Sequence, residues 1–359
     1  MPEREEQRRQ RLVHGCTERK LSGVLVTDPV NVRYLSGFTG SNGDLLVLSD
    51  GKTYLATDGR YGTQSATQSP DVERVITRDG PEELVDLASR ANVETLGFED
   101  EHVTAAQYAE LTGKGVSFEA IGKLVSVLRM QKDEYELDLL RQACAATDAA
   151  FADVLQRLRP GVSERQIGRW LDDCMRDRTY DGPGFGTIVA VGAHSAIPHH
   201  EPTDRMIEPG DFVKMDFGAK VDGYHADMTR TVVVGGQPAD WQQEIYLVVQ
   251  QAQQAGRGAL SAEAAGVDVD QAARTVVDRA GYGEQFTHGL GHGVGLEIHE
   301  APYLGSTSTD RLMPGVPVTV EPGVYLPGRG GVRIEDTTVV HHDRVELLTT
   351  STRELIVVT

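Results

Sequence analysis

Three things are scarce in this chain of 359 residues, and each scarcity excludes something. Cysteine occurs only at Cys16, Cys144 and Cys174, with no CxxC pair, so neither a disulfide framework nor a thiolate zinc site is suggested, and free thiols in a reducing compartment are expected. Positive charge is scarce as well: 35 basic against 54 acidic residues leave a net charge of −19, which, with no basic stripe, argues against nucleic-acid or anionic-membrane partners. The one dense basic stretch, Arg4 to Lys20, is mixed with Glu5, Glu6 and Glu18 and reads as a solvated helix face. Long apolar runs are missing too: nothing approaches the roughly 18 residues that would cross a bilayer. Residues 13–16, VHGC, resemble a lipidation site only faintly, because a charged, polar leader precedes them where an apolar segment is required. A cytoplasmic protein is expected.

What is present is length enough for two domains with substantial cores. In the first third, SGVLVTD (22–28), DLLVLSD (44–50) and KTYLATD (52–58) are short apolar runs bounded by turn residues and predict strands, while PEELVDLASRA predicts a helix with Pro81 and acidic residues in its first turn. The texture changes at KDEYELDLLRQACAATDAAFADVLQRL (132–158), a long amphipathic helix stopped by Pro160-Gly161. The expected division is therefore 1–124, a small α/β domain, and 125–359, a larger domain. A second helix from Ser163 to about Arg178, the loop DGPGFG, strands, and helices near 238–260 and 266–281 follow. No fixed-period repeat and no low-complexity segment interrupts them.

Three segments of the larger domain carry unusual chemistry. DFVKMDFGAKVDGYHADMTRTVVV (211–234) predicts a hairpin turning at Asp222-Gly223. With that turn Val221 faces Tyr224 and Gly218 faces Asp227, so Asp216 and Asp227 project from the same face. Two carboxylates so placed would raise one pKa strongly unless a cation lies between them. A second hairpin-like unit, PVTVEPGVYLPGRGGVRIED (317–336), sets Glu321 and Glu335 against apolar runs, where a charge needs a partner: a metal ion, or the guanidinium of Arg333 or Arg329. The third segment, HGLGHGVGLEIHE (288–300), holds three histidines and four glycines in thirteen positions. Its glycines disfavour a helix, so His288 and His292 are not a helical zinc pair, and the run does not satisfy the GxGxxG dinucleotide fingerprint. A backbone lined with glycine lets imidazoles and a substrate approach closely, with at least one histidine as a metal ligand. Four carboxylates and an imidazole form a hard set that suits Mn²⁺, Co²⁺ or Zn²⁺. Two such ions about 3.5 Å apart activate water for hydrolysis.

These segments resemble the pita-bread metallopeptidases, and within them the Xaa-Pro peptidases (prolidase and aminopeptidase P), over nearly the whole chain. The resemblance rests on D-x-G…G-Y…D-x-T-R-T at Asp216, Gly218, Gly223, Tyr224, Asp227, Thr229, Arg230 and Thr231; on G-H-G-x-G around His292; and on V-E-P-G-x-Y and R-I-E-D around Glu321 and Glu335. It implies an α+β protein: a C-terminal pita-bread (creatinase/aminopeptidase) fold behind a smaller creatinase-like α/β domain. It also implies two divalent ions per subunit, Mn²⁺ first and Co²⁺ or Zn²⁺ as alternatives. Asp216 would bind one ion, His292 and Glu321 the other, and Asp227 and Glu335 both. Glu321 would act as general base and acid, with His199 and His299 contacting substrate. Phe185 would wall a proline pocket, and His288 and Arg333 would lie in or beside the substrate site.

The resemblance further implies hydrolysis of the bond between an N-terminal residue and a following proline, dipeptides slightly preferred, by a homodimer acting on short proline-containing peptides. Aminopeptidase P activity on longer peptides is the alternative. Methionine aminopeptidases generally lack the N-terminal domain, which NVRYLSGFTGSNG (31–43) and TDGRY (57–61) resemble; a non-catalytic peptide-binding module would be expected to have lost metal ligands, and none is lost here. Arg33 or Arg60 offers a partner for a substrate carboxylate. One departure stands out: the family commonly reads P-H-G where this chain reads Pro198-His199-His200-Glu201. The spacing favours His199 as the substrate contact and puts His200 on the solvent side.

Overall fold

The alternating apolar runs of the first third become one six-stranded sheet. In the computed structural model, which describes residues 2–359, its strands lie in the order 73–76, 53–57, 44–48, 23–26, 95–98, 117–120. Gly23–Val26, buried along its whole length, pairs antiparallel with Asp44–Leu48 and parallel with Thr95–Phe98. Continuous apolar runs, without polar alternation, are what strands covered on both faces require. The helix Gly80–Arg90 supplies part of that cover through Leu84, Val85 and Ala88, and carries Glu82 and Glu83 in its first turn, where the helix dipole favours negative charge.

The basic stretch near the N-terminus corrects an expectation. It lies in the helix Pro2–Glu18, but Arg8 and Arg9 are buried, donating to the carbonyls of Tyr34 and Leu35 at 3.1 and 2.8 Å, and Arg9 also pairs with Asp71. A guanidinium carries five donors, so it can be buried where carbonyls converge, and a one-dimensional charge pattern does not reveal those carbonyls.

The chain divides into two units, one ending at Arg129 and the other spanning Met130–Thr359. The 124/125 division falls at the start of a helix, Leu124–Met130. In the second unit Asp133 and Glu136 form a reciprocal capping box that opens the helix Glu134–Leu155, and Ser163 caps Glu164–Arg176. The latter helix buries Ile167, Leu171 and Met175 beneath a four-stranded sheet ordered 357–358, 228–234, 211–217, 188–191. Asp240–Ala259 and Gly266–Arg279 pack through Ile245, Val249, Ala273 and Val277 onto a five-stranded sheet ordered 300–304, 291–293, 316–320, 336–340, 345–347. Truncating one of these fully buried aliphatic side chains to alanine costs about 2–5 kcal/mol. The fold is α+β.

Candidate metal centre

Two hairpins and one glycine-rich strand of the second unit build a single buried carboxylate cluster. In the first hairpin, Phe217 pairs with Met228 and Asp216 with Thr229, and the same register continues to Val221 opposite Tyr224. The turn residues Asp222 and Gly223 both have positive φ, 44° and 76°, as a two-residue hairpin turn with matching twist demands. Asp216, Gly218, Asp227 and Thr229 therefore share one face. Gly218 is required there: a Cβ would lie 1.8 Å from the Ala226 carbonyl oxygen.

Glu321 follows the strand Val316–Val320, and Glu335 precedes its antiparallel partner Asp336–Val340. Between them Gly323–Leu326 pairs with Gly330–Arg333 and reverses the chain. His292 lies in the strand Gly291–Gly293, flush against Thr319; a Cβ at Gly291 would meet the Thr319 carbonyl oxygen at 2.1 Å, and the His292 N–H donates to Thr319 Oγ1 at 3.0 Å. Its Nε2 stands 3.3 Å from Glu321 Oε1 and 3.6 Å from Asp227 Oδ2. One ligand atom each from Asp227, His292 and Glu335 lies within 4.8 Å of the other two.

The donors test well against divalent cations. Among the described residues the buried side-chain acceptors without a hydrogen-bond partner are Asp216 Oδ1, Asp227 Oδ1 and Glu335 Oε1, one oxygen from each of three carboxylates in this cluster. Buried charges without compensation cost several kcal/mol each. Burial first, then repulsion from Glu335, Asp216 and Glu321, pushes the Asp227 carboxyl well above its ordinary range; burial, then Glu321 and Asp216, does the same to Glu335. Glu321 behaves oppositely. Burial raises it, but the hydrogen bond and charge of His292, with His288 and Arg333, outweigh burial and bring it down to about 2. A cation relieves the crowding of Asp227 and Glu335 and fills the open valences together, and the oxygen-rich set with one imidazole suits a hard divalent ion.

The other oxygens of these carboxylates are held by the protein. Thr229 Oγ1 donates to Glu335 Oε2 at 2.7 Å and accepts from Arg333 Nε at 3.0 Å. Arg333 Nη2 donates to Asp216 Oδ2, and Arg333 Nε lies 3.9 Å from Glu321 Oε2. Arg329 stays away, its guanidinium 4.5 Å from the Trp241 ring centre.

The remaining residues singled out in the sequence surround this cluster unequally. His299 is exposed, its ring 4.4 Å from that of His292 and edge-on to it; partial burial and the neighbouring His292 keep its pKa below the ordinary value. His199 is exposed. Phe185 is half-buried beside Gly218, 3.1 Å from where a Cβ would stand there. His288 Nδ1 faces the Gly289 carbonyl at 2.8 Å, and its Nε2 lies 2.9 Å from the Tyr325 hydroxyl.

His200 overturns its solvent-side assignment. It is 8% exposed, and its Nε2 lies 2.9 Å from Glu164 Oε2, a fully buried carboxylate that must be surrounded by donors to remain charged. Two residues without an assigned role also emerge. Tyr325, the tyrosine of the E-P-G-x-Y run, accepts from Arg333 Nη1 at 2.9 Å. Lys214 is buried and donates to the carbonyls of Ile197 and Pro198 at 2.6 and 3.3 Å, fastening the chain just before His199. A lysine two residues before an aspartate in a strand was the available signal.

The description metallopeptidase family M24 matches residues 138–342, and the creatinase/prolidase N-terminal domain matches residues 8–131. An Xaa-Pro dipeptidase of Pyrococcus furiosus is 33% identical over 353 residues, 98% of this chain and 99% of that one. Among solved structures, an Xaa-Pro dipeptidase from Bacillus anthracis superposes with a TM-score of 0.94 at 38% identity, covering 98% of this chain and 99% of the other. An X-Pro aminopeptidase from Thermotoga maritima MSB8 superposes with a TM-score of 0.88 at 34% identity, with the same coverage.

Proposed function

The chain belongs to metallopeptidase family M24 and carries a creatinase/prolidase N-terminal domain, and from that premise we propose an Xaa-Pro dipeptidase that splits the bond between an N-terminal residue and a following proline. The observation that carries the reading is the convergence of three unpartnered buried carboxylate oxygens beside Glu321 and His292. Asp216, Asp227, His292, Glu321 and Glu335 would hold two divalent ions, Mn²⁺ first among them, which supply a Lewis acid for the scissile carbonyl and acidify a water.

The chain's own groups account for the remaining work. Glu321, whose pKa is held down by His292, is a carboxylate at neutral pH and can take a proton and return it to the leaving proline nitrogen. His299, with its depressed pKa, is a neutral imidazole that can donate one hydrogen bond to the carbonyl oxygen, and His199 would be the second histidine to contact the substrate. Phe185 offers an apolar wall to the pyrrolidine ring. His288 and Arg333, joined through Tyr325, border the substrate side. Proline's tertiary amide lacks an N–H and its φ is fixed, so positioning the ring replaces the backbone hydrogen bond that other peptidases use.

Longer Xaa-Pro peptides are the second reading, favoured by the likeness to the Thermotoga X-Pro aminopeptidase. A homodimer is part of the same reading, and a reducing, cytoplasmic setting accords with three buried free cysteines; no helix of the described residues is long and apolar enough to cross a membrane. Turnover of Ala-Pro, Ala-Pro-Ala and Met-Ala, each with Mn²⁺ and with Co²⁺, tests the proposal. Ala-Pro should be cleaved fastest; faster Ala-Pro-Ala cleavage would move the assignment to aminopeptidase P, and a folded, metal-loaded chain that cleaves neither proline peptide would end it.

A further inference from the structure

A second cluster of metal-ligating side chains lies apart from the carboxylate centre and shares no residue with it. Glu164, the first residue of its helix, is fully buried, and two imidazoles converge on it: His194 Nδ1 lies 2.8 Å from Oε1 and His200 Nε2 lies 2.9 Å from Oε2. The two rings are 4.4 Å apart, and one ligand atom from each of the three residues falls within 4.8 Å of the others. We propose that Glu164, His194 and His200 form a mononuclear site for a borderline-soft divalent cation of the Zn²⁺ class.

The donor chemistry separates this cluster from the main centre. Two imidazoles and one carboxylate are a zinc set, with a fourth position left for water, whereas four carboxylates and one imidazole favour harder ions. The carboxylate is oriented by groups other than the histidines: it accepts from the Val191 N–H at 2.8 Å, the Thr203 N–H at 2.8 Å and the Thr203 hydroxyl at 2.5 Å. Outer hydrogen bonds of that kind hold metal-ligating carboxylates in place. Ligation asks of each imidazole only that its proton sit on the nitrogen turned away from Glu164. His194 gives access, its side chain being 30% exposed while His200 and Glu164 are buried.

The position gives the ion a consequence. His200 follows His199 directly, and the preceding Pro198 carbonyl is already held by Lys214 and by Arg333 Nη1. An ion at Glu164 would fasten the other side of His199, so the histidine that departs from the family pattern would anchor the exposed one beside it. The proposal goes beyond the peptidase reading and does not depend on it, because its readout is bound metal and not turnover.

The test counts Zn²⁺ by elemental analysis and equilibrium titration in the full chain, before and after His194→Ala. His194 is partly exposed, so this variant should keep the fold, checked by circular dichroism. The variant should hold one Zn²⁺ fewer per chain than the unaltered protein, or hold that ion more than about 100-fold more weakly, since even an outer-shell partner is worth roughly 10–100-fold. The same ion should survive in an Asp227→Ala/Glu335→Ala chain and disappear when His194→Ala is added. Unchanged zinc stoichiometry and affinity in His194→Ala would overturn the proposal. If the double variant does not fold, the comparison of His194→Ala with the unaltered chain decides alone.

Discussion

Thr229 Oγ1 donates to Glu335 Oε2 at 2.7 Å, which orients the carboxylate and leaves its unpartnered Oε1 open to a cation. The same hydroxyl accepts from Arg333 Nε, whose guanidinium also holds Asp216 Oδ2. One threonine thus orients ligands from both hairpins. Thr229→Val keeps the volume and removes the hydroxyl, and should weaken metal activation by about 10–100-fold with activity recovering at high metal concentration. Activity measured against Mn²⁺ concentration checks this; a curve that overlies that of the unaltered chain would show the hydroxyl to be idle.

Glu321 combines a pKa held near 2 with a place beside His292, 3.3 Å away. Glu321→Gln preserves shape and removes the proton acceptor. Turnover of Ala-Pro should fall by at least about 10²–10⁴-fold, the usual worth of positioned acid–base catalysis. Circular dichroism and thermal melting should remain close to those of the parent. Substantial residual turnover would assign the proton to another group.

Metal removal should make stability depend on pH in a definite direction. Asp227 and Glu335 have carboxyls raised well above their ordinary values by burial and by repulsion from neighbouring carboxylates, Asp216 and Glu321 in both cases. A carboxyl whose folded pKa exceeds its unfolded value contributes stability that is complete below the unfolded pKa, near pH 4, and is lost as pH rises through the folded one. Glu321, depressed to about 2, works the other way, but its contribution is lost only in acid below its unfolded value. Chelated protein should therefore melt at lower temperature as pH rises from about 5 to 8, by roughly 1.4 kcal/mol per pH unit for each proton released, with added Mn²⁺ restoring most at the alkaline end. A melting temperature of chelated protein that rises with pH would contradict the shared-charge account.

The parts of this centre that are local in sequence could be read from it. Asp222-Gly223 specifies a tight turn and thereby the register that puts Asp216 and Asp227 on one face. Glu321 and Glu335 adjoin apolar strand runs, and the glycines around His292 mark close backbone approach. What could not be read depends on neighbours distant along the chain. His200 is buried because its Nε2 lies against the buried carboxylate of Glu164, 36 residues earlier. Lys214 faces carbonyls on another segment. Arg8 and Arg9 are drawn inward by the carbonyls that end a helix 26 residues on. Each is a polar group buried because a specific partner is there, and periodicity carries no information about that partner.

Tyr325 illustrates the same limit and gives the last prediction. His288 Nδ1 faces the Gly289 carbonyl oxygen, which accepts only, so Nδ1 carries the proton and Nε2 accepts from the Tyr325 hydroxyl at 2.9 Å. Burial keeps the His288 pKa below its ordinary value, which maintains that neutral tautomer. The hydroxyl oxygen in turn accepts from Arg333 Nη1, and burial raises the Tyr325 pKa to about 12, so the phenol keeps the proton that it donates. Tyr325→Phe leaves the His288 Nε2 acceptor without a partner and takes one of two acceptors from Arg333 Nη1, which keeps the Pro198 carbonyl, costing about 1–3 kcal/mol by denaturant unfolding. If His288 and Arg333 border the substrate, as proposed, its effect on turnover should fall mainly on KM, because the His292–Glu321 contact does not involve Tyr325. A variant with unchanged KM and reduced kcat would move Tyr325 from holding the substrate side to the proton-transfer machinery.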